Sequence, residues 1–161
     1  MGKLNLLIIH CTATPEGREV SAKQIRDWHT KPVSEGGRGW KQVGYADVIH
    51  LTGLVENLVP YNEDDFVDAR EITNGVSGIV NPQARHVVYV GGCNADMKAK
   101  DTRTPMQLLA LANYVKHVIA AHPNIQVAGH NQFAPKACPS FDVAQWLKGI
   151  GIPLKNIYKH V

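Results

Sequence analysis

The sequence predicts an α/β fold in which a central mixed β-sheet is flanked by helices. Apolar segments of strand length alternate with segments of helical periodicity, and this alternation is typical of a sheet covered by helices. Two strand-like segments on either side of Thr52 and Gly53 indicate a hairpin, which adds an antiparallel pair to the sheet. A chain of 161 residues has the length of one domain, so residues 1–161 are predicted to form a single domain.

Apolar runs bounded by turn-forming residues predict the strands. The first run has the length and composition of a strand that is buried on both faces, and His10 stands at its C-terminal end. The long stretch over residues 61–82 has no clear periodicity and is interpreted as an excursion over the surface. The predicted strands are residues 4–9, 45–51, 54–59, 86–90 and 125–129.

Capping motifs predict where two of the helices begin. Ser21 is followed three residues later by Gln24, and Thr104 by Gln107, which is the spacing of a capping box. Pro105 also occupies the first helical position, where its missing N–H costs nothing. The predicted helices are residues 21–30, residues 104–121 and residues 140–148.

Composition and charge exclude several classes of function. Hydrophobic residues make up 44% of the chain and charged residues 19%, which supplies a packed interior and argues against disorder. The net charge of +3 is not concentrated in any Lys/Arg-rich tract, so no nucleic acid is expected as a partner. The longest aliphatic run is far below the roughly 18 residues needed to cross a bilayer, so no membrane insertion is expected. The N-terminus lacks the features of a secretory signal, which predicts a cytoplasmic location.

Three side chains that bind metals, His10, His130 and Cys138, lie at the ends of predicted strands or in the loop that follows one. Ligands collect at the carboxyl ends of strands in open α/β sheets. Three protein ligands with an open fourth position are the arrangement of a catalytic zinc site. Residue types and spacing alone leave two alternatives open. One is a copper site, which two histidines and a cysteine form together with a weak axial methionine, but the chain has no methionine after Met106. The other is a core histidine with an inert buried cysteine.

Several sequence blocks occur together over most of the chain, from residue 4 to about residue 146. They are LLIIHCTAT at residues 6–14, RGW at 38–40, GY at 44–45, VYVGG at 88–92, GH at 129–130 and APKACPSFD at 134–142. In content and in order, these blocks resemble the zinc-dependent N-acetylmuramoyl-L-alanine amidases, the family of the amidase-type phage lysozymes and the peptidoglycan recognition proteins. Together the blocks are specific for this family, whereas any one block alone is not.

The resemblance implies a zinc amidase domain with the fold of the peptidoglycan recognition proteins. It implies that Zn²⁺ is bound by His10, His130 and Cys138, and that Tyr45 and Lys136 assist catalysis. The implied reaction is hydrolysis of the amide between N-acetylmuramic acid and L-alanine in peptidoglycan. The implied partners are the glycan strand and the stem peptide, and the implied setting is a monomeric phage or prophage endolysin, which stays in the cytoplasm until it is released to the cell wall.

Two departures from the family pattern concern the substrate groove. Ala46 stands where a histidine commonly follows the Gly-Tyr pair, and residues 71–81 contain no histidine although the family often has one there. Two other functions therefore compete with the first. One is a peptidoglycan-binding module without hydrolysis, which the presence of Cys138 disfavours, and the other is a zinc amidase that acts on a different peptide amide.

The remaining histidines and cysteines are predicted to lie outside the metal site. His29 and His122 are interpreted as surface or capping groups, and His50 and His86 as strand residues without a nearby partner in the sequence. Cys11 follows His10 directly, so it is expected to face the opposite side of the strand.

Overall fold

A computed structural model of the protein describes residues 2–159. The described strands and helices are, in chain order, β1 (Gly2–Lys3), β2 (Leu6–Cys11), β3 (Thr14–Pro15), α1 (Ala22–Thr30), β4 (Asp47–Ile49), β5 (Val55–Asn57), β6 (Phe66–Val67), β7 (Ala84–Tyr89), β8 (Gly92–Cys93), α2 (Pro105–Ala121), β9 (Gln126–Gly129) and α3 (Val143–Gly149). Short 3-10 turns cover Val33–Glu35, Asn81–Gln83, His130–Gln132 and Leu154–Asn156.

The central sheet has five strands in the order β5, β4, β7, β2 and β9. Strand β2 is parallel to both of its neighbours, β7 is parallel to β4, and only the β4–β5 hairpin is antiparallel. The predicted mixed sheet and hairpin are therefore confirmed. Because β2, β7 and β9 are parallel, their carboxyl ends lie at one edge of the sheet, where His10 is the second-last residue of β2 and His130 follows β9.

Capping side chains define the helix starts. Both predicted capping boxes are present, since the hydroxyls of Ser21 and Thr104 accept backbone N–H groups in the first turns of α1 and α2. Helix α3 begins at Val143 and not at Ser140, because the carboxylate of Asp142 accepts the N–H of Gln145 and caps the helix there.

The two faces of the sheet carry different layers. Alternate residues of β2, such as Leu7 and Ile9, pack with α2 and α3 in one apolar cluster. The other face is covered by α1, whose Ile25 packs with Val48 and Val88. His10 points to this second face and is buried, so the sheet holds an imidazole at a position where a core residue would otherwise lie.

The interpretation of residues 61–82 as a surface excursion is only partly right. Regular structure there is limited to β6 and the start of a 3-10 turn, but Glu71, Thr73 and Asn81 are buried. The Glu71 carboxylate accepts the N–H groups of Asn62 and Asp68 at 2.7 and 2.8 Å, which folds the segment onto itself. The segment then returns across the α1 face and brings residues 74–76 to the edge where β2 ends.

Candidate metal centre

A cleft of about 230 Å³ opens at the carboxyl ends of β2 and β9. Its walls come from the β2 end, from α1 and the segment after it, from the returning excursion and from the loop after β9. The lining residues are Cys11, Thr12, Ala13, His29, Arg38, Trp40, Gly44, Tyr45, Asn74, Gly75, Val76, His130, Lys136 and Cys138.

The structure brings His10, His130 and Cys138 together, with His130 and Cys138 in the lining of the cleft and His10 buried beside them. The Nδ1 atoms of His10 and His130 are 3.2 Å apart, and the Cys138 Sγ lies 3.8 Å from the His10 Nδ1. One donor atom from each of the three lies within 4.8 Å of the others, which makes the group compatible with one metal ion. Within residues 2–159, no other group of three or more metal-binding side chains meets this criterion.

Cys138 is held in place by the end of β2. The backbone N–H of Cys11 donates to the Cys138 Sγ at 3.3 Å. The Cys11 side chain belongs to the apolar cluster of the α2 face, as expected, but its thiol stays within reach of Cys138 and lies 3.8 Å from the Ser140 hydroxyl. A hydrogen bond with the Cys11 thiol and burial both raise the pKa of Cys138. A bound cation would therefore have to displace the thiol proton, as is usual when a metal binds cysteine.

The imidazoles of the site are neutral at neutral pH. Burial lowers the pKa of His10 well below its ordinary value, and the neighbouring His86 and His130 lower it further. Burial, followed by the charge of Lys136, also lowers the pKa of His130. Neutral imidazole is the form that binds metals, so these rings are in the required state.

His86 is a buried neighbour of the site that sequence reasoning missed. The sequence predicts no nearby partner for it, yet its Nε2 lies 3.1 Å from the Oδ1 of Asn81, five residues away, and its Nδ1 lies 2.8 Å from the His10 Nε2. Burial lowers the pKa of His86 to about 3. The contact arises because β7 pairs with β2 in parallel, with His86 opposite Ile8. Only the strand pairing reveals it, since the two histidines are 76 residues apart.

Tyr45 and Lys136 line the cleft on different walls. The Tyr45 ring is partly buried, with its centroid 5.0 Å from that of His10. Burial raises the pKa of Tyr45, so its phenol stays protonated and is a hydrogen-bond donor. Lys136 is exposed at the rim, close enough that its charge acts on His130. Both predicted site residues therefore lie at the cleft.

Tyr45 does not begin a strand, and His29 is not a surface group, so both predictions were wrong. His29 is buried on the inner side of α1 and accepts the Gly44 N–H at 2.9 Å. This bond holds Gly44 against α1, and the regular strand begins three residues later, at Asp47. The His29 ring also lies 4.9 Å from Trp40 and 5.2 Å from Tyr45, centroid to centroid. It therefore supports the wall that carries the phenol.

Of the predictions for two other histidines, one is confirmed and one was wrong. His122 is the C-cap of α2, as predicted, although it is buried and its Nδ1 lies 3.2 Å from Asp65. His50 bridges Glu19 and Glu56 at 2.9 and 2.8 Å, so it does have a partner nearby in the sequence. Neither ring lies among the cleft-lining residues.

Comparison with known proteins places the chain among phage lysis proteins. No family model matches the chain. The endolysin of Enterobacteria phage K11 is 33% identical over 140 residues, which cover 87% of this chain and 83% of that protein. The endolysin of Escherichia phage T7 is 30% identical with the same coverage. The chain belongs to the phage endolysin family. The prediction that the chain belongs to the family of the amidase-type phage lysozymes is thereby confirmed.

Solved structures show the same fold. An N-acetylmuramoyl-L-alanine amidase from Clostridium intestinale aligns with a TM-score of 0.71 at 19% identity, covering 94% of this chain and 88% of that one. Drosophila PGRP-LB aligns at 0.67 and 16% identity, covering 99% and 85%. The Ph2119 endolysin from a Thermus scotoductus bacteriophage aligns at 0.66 and 23% identity, covering 98% and 87%. The predicted fold class is confirmed.

Within residues 2–159, no helix is long and apolar enough to cross a membrane.

Proposed function

We propose that the chain is a zinc-dependent N-acetylmuramoyl-L-alanine amidase that cleaves peptidoglycan as a phage endolysin. Membership of the endolysin family and the amidase-like fold support this activity. The observation that carries the proposal is the convergence of two imidazole nitrogens and one sulfur, with His130 and Cys138 lining an open cleft and His10 buried beside them. These donors are those of catalytic zinc sites, which keep a position open for solvent or substrate.

The donor geometry fits zinc. With Zn–N near 2.0–2.1 Å and Zn–S near 2.3 Å, the ligand atoms of a tetrahedral site are about 3.3 Å apart for two nitrogens and about 3.6 Å apart for nitrogen and sulfur. Two of the three separations match these values, with 3.2 Å between the two Nδ1 atoms and 3.8 Å between the His10 Nδ1 and the Cys138 Sγ. The donors of the third pair, His130 and Cys138, lie within 4.8 Å of each other, and in this proposal all three residues would hold the ion.

In this proposal the zinc ion, Tyr45 and Lys136 have different roles in amide hydrolysis. Bound Zn²⁺ would supply a Lewis acid for the amide carbonyl and would bring the pKa of a water molecule to about 7. The protonated Tyr45 phenol donates a hydrogen bond to the substrate carbonyl. The Lys136 ammonium stabilises the negative charge that develops on the carbonyl oxygen, and a well-placed donor of this type contributes roughly 3–4 kcal/mol.

The substrate in this proposal is the amide between the lactyl group of N-acetylmuramic acid and L-alanine of the stem peptide. The cleft is open and lined by both polar and aromatic groups, among them Arg38, Trp40 and Asn74. Trp40 offers an aromatic face to a sugar ring or a peptide. Residues 1–161 act as a single monomeric catalytic domain in this account, which is released from the cytoplasm to reach the cell wall.

Digestion of purified peptidoglycan tests the proposed activity. Protein treated with a chelator and then restored with one equivalent of Zn²⁺ is incubated with the sacculus, and the products are analysed by mass spectrometry. We expect stem peptides with a free L-alanine amine from the zinc-loaded protein, and none from the metal-free protein. Intact murein in the presence of bound zinc would contradict the proposal and favour a binding module. Release of a different amine would instead indicate another peptide amide.

A further inference from the structure

We propose that His86 and Asn81 form a buried hydrogen-bond relay that sets the tautomer and orientation of the metal ligand His10. The proposal rests on the proposed zinc function, because it assigns these residues to the same site. Both are positioning residues, since neither has an atom among the donors that converge on the ion position. It explains why an imidazole and an amide are buried on a sheet face where apolar residues would otherwise pack.

The relay begins at Asn81, whose side-chain orientation is defined by the backbone. The Val76 N–H donates to the Asn81 Oδ1 at 3.0 Å, so this atom is an acceptor and is the amide oxygen. The same oxygen lies 3.1 Å from the His86 Nε2. Because a carbonyl oxygen can only accept, the His86 Nε2 must carry the ring proton.

The proton position on His86 then determines that on His10. A neutral imidazole has one N–H, so the His86 Nδ1 has a lone pair and accepts from the His10 Nε2, which lies 2.8 Å away. His10 therefore carries its proton on Nε2 and keeps the Nδ1 lone pair free. The Nδ1 is the atom that faces His130 and Cys138. Metal-binding histidines commonly donate their second N–H to such a partner, which fixes the ring and makes it a better ligand.

The packing around His86 holds the relay in one geometry. His86 is fully buried and Asn81 is 4% exposed, so water does not compete for these hydrogen bonds. Gly75 lies directly against the ring, and a Cβ atom at that position would collide with the His86 Nδ1 and Cγ atoms. Gly75 also lines the cleft. Absence of a side chain at residue 75 is therefore required for the imidazole to occupy this place.

The isosteric pair His86→Asn and His86→Leu tests the relay. Both substitutions remove the ring and the bond to Asn81, but asparagine keeps an acceptor near the position of the His86 Nδ1 whereas leucine has none. The zinc dissociation constant of each metal-free protein is measured by competition with a chromophoric chelator. We expect His86→Leu to bind zinc about 10–100-fold more weakly than the wild type, and His86→Asn to recover most of that loss. Equal affinity for all three proteins would overturn the relay.

A measurement on the wild-type protein does not depend on whether the variants fold. Long-range proton–nitrogen NMR spectra of the metal-free protein report which ring nitrogen of each histidine carries the proton. We expect the proton on Nε2 in both His10 and His86. A proton on the Nδ1 of His10 would overturn the relay, even if the variants had lost zinc.

The two proposals can fail separately. If the wild type binds zinc and shows the expected tautomers but leaves peptidoglycan intact, the amidase proposal fails and the relay stands. If His86→Leu binds zinc as the wild type does and digests peptidoglycan at the same rate, the relay fails and the amidase proposal stands.

Discussion

Arg85 and His86 are consecutive residues of β7, yet they belong to two different buried polar clusters on opposite faces of the sheet. On the α2 face, the Arg85 guanidinium lies 3.3 Å from the Asp47 carboxylate and 3.1 Å from that of Glu63, and it donates to the Tyr114 hydroxyl at 2.9 Å. Each charge on that face has an opposite charge beside it. The charges of the α2 cluster therefore have protein partners and need no bound ion.

The cluster on the α1 face has a different composition. His10 bonds to His86 and His130, and His86 bonds to Asn81, with no carboxylate among the side-chain hydrogen-bond partners found for these rings in residues 2–159. The cluster ends at the cleft in the Nδ1 atoms of His10 and His130 and the thiol of Cys138, so a cation would complete it. This contrast suggests that the α2 cluster serves the stability of the fold and that the α1 cluster serves binding. Substitutions on the two faces should then separate stability from zinc affinity.

The largest effect is expected from Cys138→Ser. Structural zinc sites with four protein ligands bind with about 10–16 kcal/mol, an average of about 2.5–4 kcal/mol per ligand, so the loss of one thiolate should weaken zinc binding by about 100–1,000-fold. Amidase activity at a fixed zinc concentration should fall with it, while the metal-free protein should keep its fold. Chelator competition and circular dichroism measure both quantities.

Cys93→Ser is the matched control for Cys138→Ser. Cys93 is also a free cysteine, but it is buried in β8 and does not line the cleft. Its replacement should leave zinc affinity unchanged. Similar losses of zinc in both variants would show that the effect comes from thiol removal in general and not from the cluster.

Lys136→Ala should reduce turnover without loss of metal. Removal of a donor that stabilises a developing oxyanion lowers kcat by about 100–1,000-fold. The kcat and the zinc content are measured on the same preparation. Lys148→Ala, which removes an exposed lysine of α3 that does not line the cleft, is the control and should keep full activity. An unchanged kcat in Lys136→Ala would remove Lys136 from the catalytic machinery.

Asp47→Asn should destabilise the fold but leave the metal site intact. Breaking a buried ion pair costs about 3–5 kcal/mol, and the lower end applies here because Arg85 keeps its contacts with Glu63 and Tyr114. Urea unfolding should show the free energy of unfolding reduced by about 3 kcal/mol. Zinc affinity under folding conditions should match the wild type. A parallel loss of zinc would contradict the division between the two faces.

The smallest effect is a pH dependence at His50. Burial alone would lower the pKa of His50, but hydrogen bonds to Glu19 and Glu56 outweigh it and raise the pKa. The stabilisation is thus fully present below the ordinary histidine pKa of about 6.5 and is lost as pH rises through the raised value of the folded state. The contribution should be below about 1 kcal/mol, because the two glutamates are half exposed.

His50→Gln should remove this pH dependence. The difference in unfolding free energy between wild type and variant is followed from pH 5 to pH 9. It should decrease as pH rises. A difference that is constant or grows with pH would show that the ring is neutral in the folded protein.

Local signals made much of the fold predictable. The capping boxes at Ser21 and Thr104 and the apolar run before His10 each depend on residues close in the sequence, and each corresponds to an element of the structure. The residues next to Tyr45 in the sequence were less informative, because they predicted that Tyr45 begins a strand. Tyr45 lies before β4, next to a hydrogen bond between Gly44 and His29, which are 15 residues apart.

The metal site was predictable by a different route. Spacing alone left His10, His130 and Cys138 open to other interpretations, and the family resemblance selected the zinc site. The contact of His86 with His10 was not predictable in this way, because it depends on the parallel pairing of β2 with β7. Tertiary pairing, and not local pattern, determines which buried histidine supports a ligand.

X-ray absorption at the zinc edge is the most direct test of the proposed donor set. The zinc-loaded wild type should show one sulfur at about 2.3 Å and two imidazole nitrogens at about 2.0–2.1 Å. The sulfur shell should disappear in Cys138→Ser. A wild-type spectrum without sulfur, or a protein that retains no zinc after gel filtration, would contradict the account.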